Sequence, residues 1–526
     1  MLNREGANNM AKLRRCLTAA MAGMLLISCA GASGAKADRV VTVDPQRASA
    51  VNNGIFEGWG TSLCWWANRI GYSDTLSRLA AEAFCDPEKG LGLNILRYNI
   101  GGGDDPSHDH ITRTDSMMPG FWQNPAYDEA TGTYSWDYDW TQDANQRNVL
   151  ARCLEAGGEG MIVEAFSNSP PYFMTNSGCS SGAKYAFQNN LREDAYDAFA
   201  QYLADVAEHF RSAWNIQFQS ISPMNEPNTS YWQAFSPKQE GCHFDPGASQ
   251  SRILLATAEK LKKKGLDSIL IAGTDETSID TQALSLSQLT DEALAVVSRV
   301  DTHAYAGSGR DFLLRQTLQR GKNLWMSEVD GGDTLSWDAG EMGAGLWLAR
   351  EIMTDLNGLT PSAWILWQVI DNHISRDGWL GRRDSGMVDL LGGYWGTAVA
   401  DHDREQLVLT MKYYVFGQFT RYIRPGSRLL ALDGDAVAAE DPQRGRLVVV
   451  AMNAENTEQA LWVDLSAYGS AVAPGAEIQP IRTSGSIADG EHWAVLPALS
   501  AGEGGFSAAL APYSVTTFLI PASLRK

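Results

Sequence analysis

A chain of 526 residues, 44% hydrophobic and 20% charged, is long enough for two or more globular domains. Its formal net charge of −20 leaves no basic stripe for nucleic acid but is compatible with a neutral polymer. The 17 Trp residues suit stacking on flat, uncharged rings, although most Trp in any fold serve the core.

The N-terminus predicts export. Arg4, Lys12, Arg14 and Arg15 form a basic stretch, and residues 17–27 form an apolar run too short to span a bilayer comfortably. Two cleavage readings stay open. Ala35-Lys36-Ala37 is a small-x-small site. Leu26-Ile27-Ser28-Cys29 resembles a bacterial lipoprotein box, in which Cys29 becomes the lipidated first residue, and this reading is preferred. The leader is residues 1–37, and the protein is expected at the cell surface or secreted. A lipidated Cys29 is the one membrane anchor expected, because no second apolar segment is long enough to span.

Residues 38–54 carry a short strand, Val40-Val41-Thr42-Val43, expected to join a later β-domain. From Phe56 a pattern repeats: a short apolar run, a polar or Gly-rich end, then a helix-length segment. The runs lie at 58–62, 94–99, 161–166, 216–222, 269–272, 300–303, 324–327 and 363–369. Strands alternating with helices predict a parallel sheet, and eight of them predict a closed (β/α)8 TIM barrel over residues 55–424. Tyr196, Phe199, Leu203, Val206 and Phe210 recur at helical spacing. So do Ile253, Leu254, Ala258 and Leu261, before the basic stop Lys262-Lys263-Lys264-Gly265. The long connection 101–146 follows the second strand and should lie over the barrel mouth. Its Trp122, Tyr127, Tyr134, Trp136, Tyr138 and Trp140 argue for order. After Tyr413-Tyr414-Val415-Phe416 the period changes. Runs at 446–452, 460–465, 493–496 and 515–520 predict an antiparallel β-sandwich domain over residues 425–526, packed on the barrel.

Five cysteines follow the leader. Cys179 and Cys242 lie in polar, Gly-containing loops and are the predicted disulfide. Cys64 and Cys153 sit in apolar contexts and read as buried free thiols. The spacing fits no CxxC pattern, so no metal site is expected.

Two acids stand out. A short apolar run ends in Met224-Asn225-Glu226-Pro227, and Pro stops a ladder. Another ends in Trp325-Met326-Ser327-Glu328. Acids at the ends of the fourth and seventh strands can meet across a barrel mouth, as glycoside hydrolysis requires of its proton donor and its nucleophile or base.

These motifs resemble glycoside hydrolase family 30. Met224-Asn225-Glu226-Pro227 is similar to its acid/base motif and Trp325-Met326-Ser327-Glu328 to its nucleophile strand. Leu96-Arg97-Tyr98-Asn99 is similar to its second strand, and Ser169-Pro170-Pro171 to its third. Phe56-Glu57-Gly58-Trp59-Gly60 through Trp65-Trp66 and Asn228-Thr229-Ser230-Tyr231-Trp232-Gln233 look most like the endo-β-1,6-galactanase subfamily, which acts on galactan side chains of type II arabinogalactan. Asn168 stands where xylanases and glucosylceramidases carry Trp, which disfavours their substrates. The resemblance implies a retaining enzyme with Glu226 as acid/base and Glu328 as nucleophile. Arg97 would pair with Glu328, and Asn225 would hold the sugar 2-hydroxyl. His303 and Tyr305 would support the acids, with Tyr305 donating to Glu328. Trp367 would be a platform beneath the sugar, and Trp66, Asn168 and Trp232 would line the site. Glu57, Glu164, Asp275, Glu276 and Asp371 are rival carboxylates ranked as binding or structural. The expected partner is a polysaccharide or oligosaccharide, with no cofactor and a monomeric chain. The alternatives are a related β-glycanase acting on xylan or β-1,6-glucan, or a non-catalytic sugar-binding lipoprotein. Retention of both acids speaks against the latter.

Overall fold

Eight parallel strands close into a barrel in the computed structural model, which describes residues 37–113, 115–332, 339–376, 378 and 395–524. They are Gly58–Ser62 (β1), Ile95–Asn99 (β2), Ile162–Phe166 (β3), Ser220–Ser222 (β4), Leu270–Ser278 (β5), Val297–Ala306 (β6), Asn323–Val329 (β7) and Ala363–Leu366 (β8). Each pairs with the next, and β8 returns to β1. Every one overlaps an apolar run read from the sequence. Residues 1–36 of the expected leader lie outside the described residues.

Side-chain alternation gives each barrel strand an inner and an outer face. The outer face meets amphipathic helices. On Tyr196–Trp214, Tyr196, Phe199, Leu203, Val206 and Phe210 are buried as their spacing predicts. The inner face starts with a small apolar floor of Ile95, Trp325, Ala363 and Ile365. Charge then fills the bore. The Arg299 guanidinium lies 3.4 Å from the Trp325 ring centroid and bonds Asp301 at 2.6 Å. It also pairs with Glu164, which accepts from Ser220 Oγ at 2.8 Å. Buried charges are tolerated only when paired and hydrogen-bonded, and here they are.

The connection after β2 is ordered by its own hairpin, Trp122–Asp128 paired antiparallel with Thr133–Tyr138. Its aromatic side chains pack against the main core. Sequence reading did not separate a three-stranded sheet after β8, made of Ile370–Ile374, Ala398–Asp401 and Gln406–Leu409.

Two sheets form the C-terminal sandwich. In one, Arg39–Thr42 pairs in parallel with Gln459–Asp464, which pairs antiparallel with Gly505–Leu510. The other includes Ala436–Asp441, Arg446–Asn453, Ser514–Pro521 and Glu477–Ser484. Val41, Leu461, Val463, Phe506 and Phe518 fill the space between them. The centre of the larger sheet's outer face packs on the barrel. Val448, Val450 and Val515 share one core with Met353, Phe416 and Phe419 of the barrel helices.

The predicted disulfide does not form. Cys179 and Cys242 are both free and buried. Their loops touch where Gly241 N donates to Ser180 O at 2.9 Å. Each sulfur has its own neighbours, whereas a disulfide needs converging Cβ vectors. Cys179 Sγ lies 3.2 Å from Ser181 Oγ, whereas Cys242 sits in the hydrophobic core with Sγ 3.6 Å from His243 O. Cys64 and Cys153 are buried free thiols.

Candidate active site

Glu226 lies just past β4, and its backbone is held in an uncommon conformation. Its φ is +47° and that of Asp275 is +61°. The left-handed region costs a non-glycine residue about 1–2 kcal/mol. The Glu226 N–H donates to Asp275 O at 2.8 Å, which offsets part of this and locks the two strand ends together. Glu328 is presented differently. The β6–β7 register shifts between Met326 and Glu328. This bulge lets consecutive residues work inside the barrel: Ser327 Oγ bonds Asp275 at 2.7 Å while Glu328 reaches the mouth.

The two acids converge. A carboxylate oxygen of Glu226, one of Glu328 and a ring nitrogen of His303 all lie within 4.8 Å of one another. His303 Nδ1 is 3.2 Å from Glu226 Oε1 and 3.5 Å from Glu328 Oε1, and its Nε2 is 3.1 Å from Asp275 Oδ1. Tyr305 Oη donates to Glu328 Oε1 at 3.1 Å, and Tyr231 Oη donates to Glu226 Oε2. Arg97 is wholly buried beneath them. It reaches Glu328 Oε2 at 3.2 Å and Glu164 Oε1 at 2.8 Å, and also pairs with Asp275. The expected Arg97–Glu328 contact is therefore one arm of a three-carboxylate junction.

This junction sets the protonation states. Burial alone would lower the His303 imidazole, but Glu328, Asp275 and Glu226 raise it to about 10, so it is a cation at neutral pH. Asp275 is held ionised: burial opposes this, but Arg97 and His303 outweigh it. Burial raises Glu328 to about 7, with the Glu226 charge adding and His303 and Arg97 opposing. Glu226 lies below its ordinary value. Burial works against this, but His303 and Tyr231 prevail. In the free site the order is thus opposite to the expectation that Glu226 holds the proton. The carboxyl pair thus carries one proton, which rests on Glu328 and leaves near neutrality, while His303 keeps its own.

Around the acids, several buried polar atoms have no partner among the described residues: Asn225 Oδ1, Asn168 Oδ1 and Trp65 Nε1. Such groups are the ones a ligand's hydroxyls can satisfy. Trp367 packs edge-to-face on Trp65 with centroids 5.0 Å apart, in a cluster with Cys64, Met118 and Phe166. Trp395 stacks on Tyr305 at 6.1 Å. Trp232 is buried and donates to the Glu226 carbonyl at 2.9 Å, so it positions the backbone of the acid. Trp66 is corrected to a core residue. It opens the helix Trp66–Ile70, packs on Phe84 and donates Nε1 to Ser62 O at 2.7 Å. Its neighbour Trp65 packs instead on Trp367, with the Arg113 guanidinium 4.8 Å from its ring centroid. Trp66→Ala is expected to cost about 3–5 kcal/mol of stability with kcat/KM of the folded fraction unchanged, as urea melts and initial rates would show.

The rival carboxylates separate by depth. Glu57 accepts from Asn323, Trp325 and Ser362 at 2.6–2.8 Å and ties the opposite end of the barrel. Glu276 accepts from Ser285, Gln250 and the Asn228 amide. Asp371 pairs with Arg113 at 2.7 Å near the mouth. Asp275 and Tyr231 were not singled out by sequence reasoning as partners of the acids. Their one available signal was proximity to a strand end or to the Glu226 motif.

A family model described as O-Glycosyl hydrolase family 30 matches residues 48–282. The chain is 33% identical to an endo-β-1,6-galactanase of Hypocrea rufa, over 92% of this chain and 95% of that protein. It is 25% identical to an exo-β-1,6-galactobiohydrolase of Bifidobacterium longum subsp. longum, over 87% of this chain but 37% of that longer protein. The fold is similar to the catalytic domain of GH30 xylanase C from Talaromyces cellulolyticus, with a TM-score of 0.68 and 18% identity over 92% of this chain and 100% of that one. Together with the paired acids at the ends of β4 and β7, these matches place the chain in glycoside hydrolase family 30.

Proposed function

We propose that this protein hydrolyses β-1,6-galactosidic linkages in the galactan side chains of type II arabinogalactan, with retention of configuration. The carrying observation is the closeness of Glu226 and Glu328, with oxygens within 4.8 Å. Retaining enzymes hold their carboxyl groups about 5–5.5 Å apart, whereas inverting ones leave about 6.5–9.5 Å for a water. The linkage is supported by the names of the two galactan-acting relatives.

Glu328 attacks the anomeric carbon while Glu226 gives its proton to the departing glycosidic oxygen. The C–O bond breaks and a glycosyl ester forms on Glu328. Water then enters, Glu226 takes its proton, and the water oxygen displaces Glu328. Two inversions restore the configuration. Substrate also explains how the proton reaches Glu226. Positive charge growing at the anomeric carbon favours the ionised form of Glu328, and the glycosidic oxygen rewards a donor at Glu226. Arg97 and Tyr305 hold Glu328 in line, and Asn225 Oδ1 accepts from a sugar hydroxyl. The basic, apolar N-terminus supports action outside the cytoplasm, with lipidation at Cys29 as the anchored form.

The reaction needs one proton on the pair. It is therefore expected to fail as pH rises: kcat/KM should fall about tenfold per pH unit above roughly pH 7. A rate that stays level up to pH 9 contradicts the single proton on the carboxyl pair. The substrate is tested by incubation with β-1,6-galactan, xylan and β-1,6-glucan in parallel. Cleavage of galactan alone is expected, and xylan cleavage with no galactan cleavage overturns the reading of the linkage.

A further inference from the structure

We infer that Asp104, His108, His110 and Cys179 form a binding site for one zinc-class divalent cation, distinct from the paired acids. No motif spacing announces it, because its donors come from two connections. Asp104, His108 and His110 follow β2, and Cys179 follows β3. The absence of CxxC spacing in the sequence gives no hint of a metal here.

The four side chains form a compact set. One donor atom from each of the four residues lies within 4.8 Å of all the others. Asp104 Oδ2 is 3.3 Å from His108 Nδ1 and 3.5 Å from His110 Nδ1, and Cys179 Sγ is 3.5 Å from His110 Nε2. Zinc bonds of about 2.0–2.3 Å give a tetrahedron with edges of roughly 3.3–3.8 Å. Closing the set requires side-chain rotation, because Asp104 and Cys179 meet opposite ring nitrogens of His110 and an ion takes one nitrogen from each His. Two imidazoles, a thiolate and a carboxylate are donors that favour zinc over magnesium or calcium, which prefer oxygen cages.

The surroundings orient these donors. Ser180 N donates to Asp104 Oδ1 at 2.9 Å, which leaves Oδ2 turned toward both imidazoles. Phe235 N donates to Cys179 Sγ at 3.4 Å, which orients the sulfur. The Phe235 ring braces both histidines edge-on, at 5.1 and 5.3 Å. Cys179 is fully buried, and His110 Nδ1 is a buried atom without a hydrogen-bond partner among the described residues. The opposite side opens into a cavity of about 380 Å³ lined by Asp104, His108, His110, Trp122 and Glu240, which gives a cation its entry.

Four protein donors saturate a tetrahedral ion, so the site is structural rather than catalytic. It staples the start of the 101–146 connection to the loop after β3. This wall is already tied to the barrel end by Glu240, which accepts from Asn99 Nδ2 at 2.9 Å and Gly102 N at 3.1 Å.

The test uses the untagged exported protein, stripped with chelator and then titrated with Zn2+ against a chromophoric competitor. One zinc per chain is expected. Cys179→Ser and His110→Ala should each weaken binding by about 100-fold or more, the upper end of what losing a mere orienting partner does. If either variant does not fold, Co2+ added to the wild type decides. A sulfur-to-cobalt charge-transfer band with tetrahedral d–d bands supports the site, and an octahedral spectrum without that band overturns it. No stoichiometric zinc in the wild type, or wild-type affinity retained in both variants, also overturns it. Glu328→Gln should keep its zinc, so the outcome does not depend on the proposed reaction.

Discussion

Glu328→Gln is expected to lower kcat by about four to six orders of magnitude while leaving the chain folded. The substitution keeps the volume of the side chain and removes its nucleophilic oxygen. Arg97 retains Glu164 and Asp275 as partners, at 2.8 Å for Glu164, so its charge stays compensated. The smaller Glu328→Ala variant adds a positive test. Azide can enter the vacated space and attack the sugar, yielding an α-glycosyl azide. Azide added to Glu226→Ala should instead give the β-azide, because there Glu328 still forms the ester. Exchange of these two products would reverse the assigned roles. More than a tenth of wild-type turnover in Glu328→Gln would remove Glu328 from the chemistry.

Arg97→Met is expected to destabilise the protein by about 3–5 kcal/mol, the cost of leaving buried charge uncompensated. Arg97 is fully buried and meets Glu164, Asp275 and Glu328, all themselves buried. Its planar fork serves three acids at once, and its guanidinium also covers the Phe166 ring at 4.3 Å. Arg97→Lys should recover only part of the loss, because one ammonium cannot reach all three carboxylates in that geometry. Urea unfolding measures both variants, and a loss below about 1 kcal/mol for Arg97→Met would mean that the acids find other partners.

The barrel strands were legible because each is a short apolar run that ends in polar or Gly-rich residues, and Glu226 and Glu328 close two of them. The Arg97–Glu328 contact followed from family resemblance. Their shared partners were less visible. Asp275 reaches Arg97, His303 and Ser327 from β5, and nothing in its local sequence reveals a junction built from four strands. Trp66 was expected to line the site, but a one-residue change of direction at the start of a helix carries no periodic signal. The Cys179–Cys242 pairing failed for a similar reason: loop composition placed the two chains together but said nothing about where each side chain turns. The order of the Glu226 and Glu328 titrations depends on the His303 cation between them, a strictly three-dimensional fact.

The stereochemistry of the first product tests the paired acids most directly. Proton NMR of β-1,6-galacto-oligosaccharide hydrolysis, recorded before mutarotation, should show the β-anomer appearing first and the α-anomer only later. An α-anomer formed first would require a water between Glu226 and Glu328 and would contradict a double displacement through Glu328.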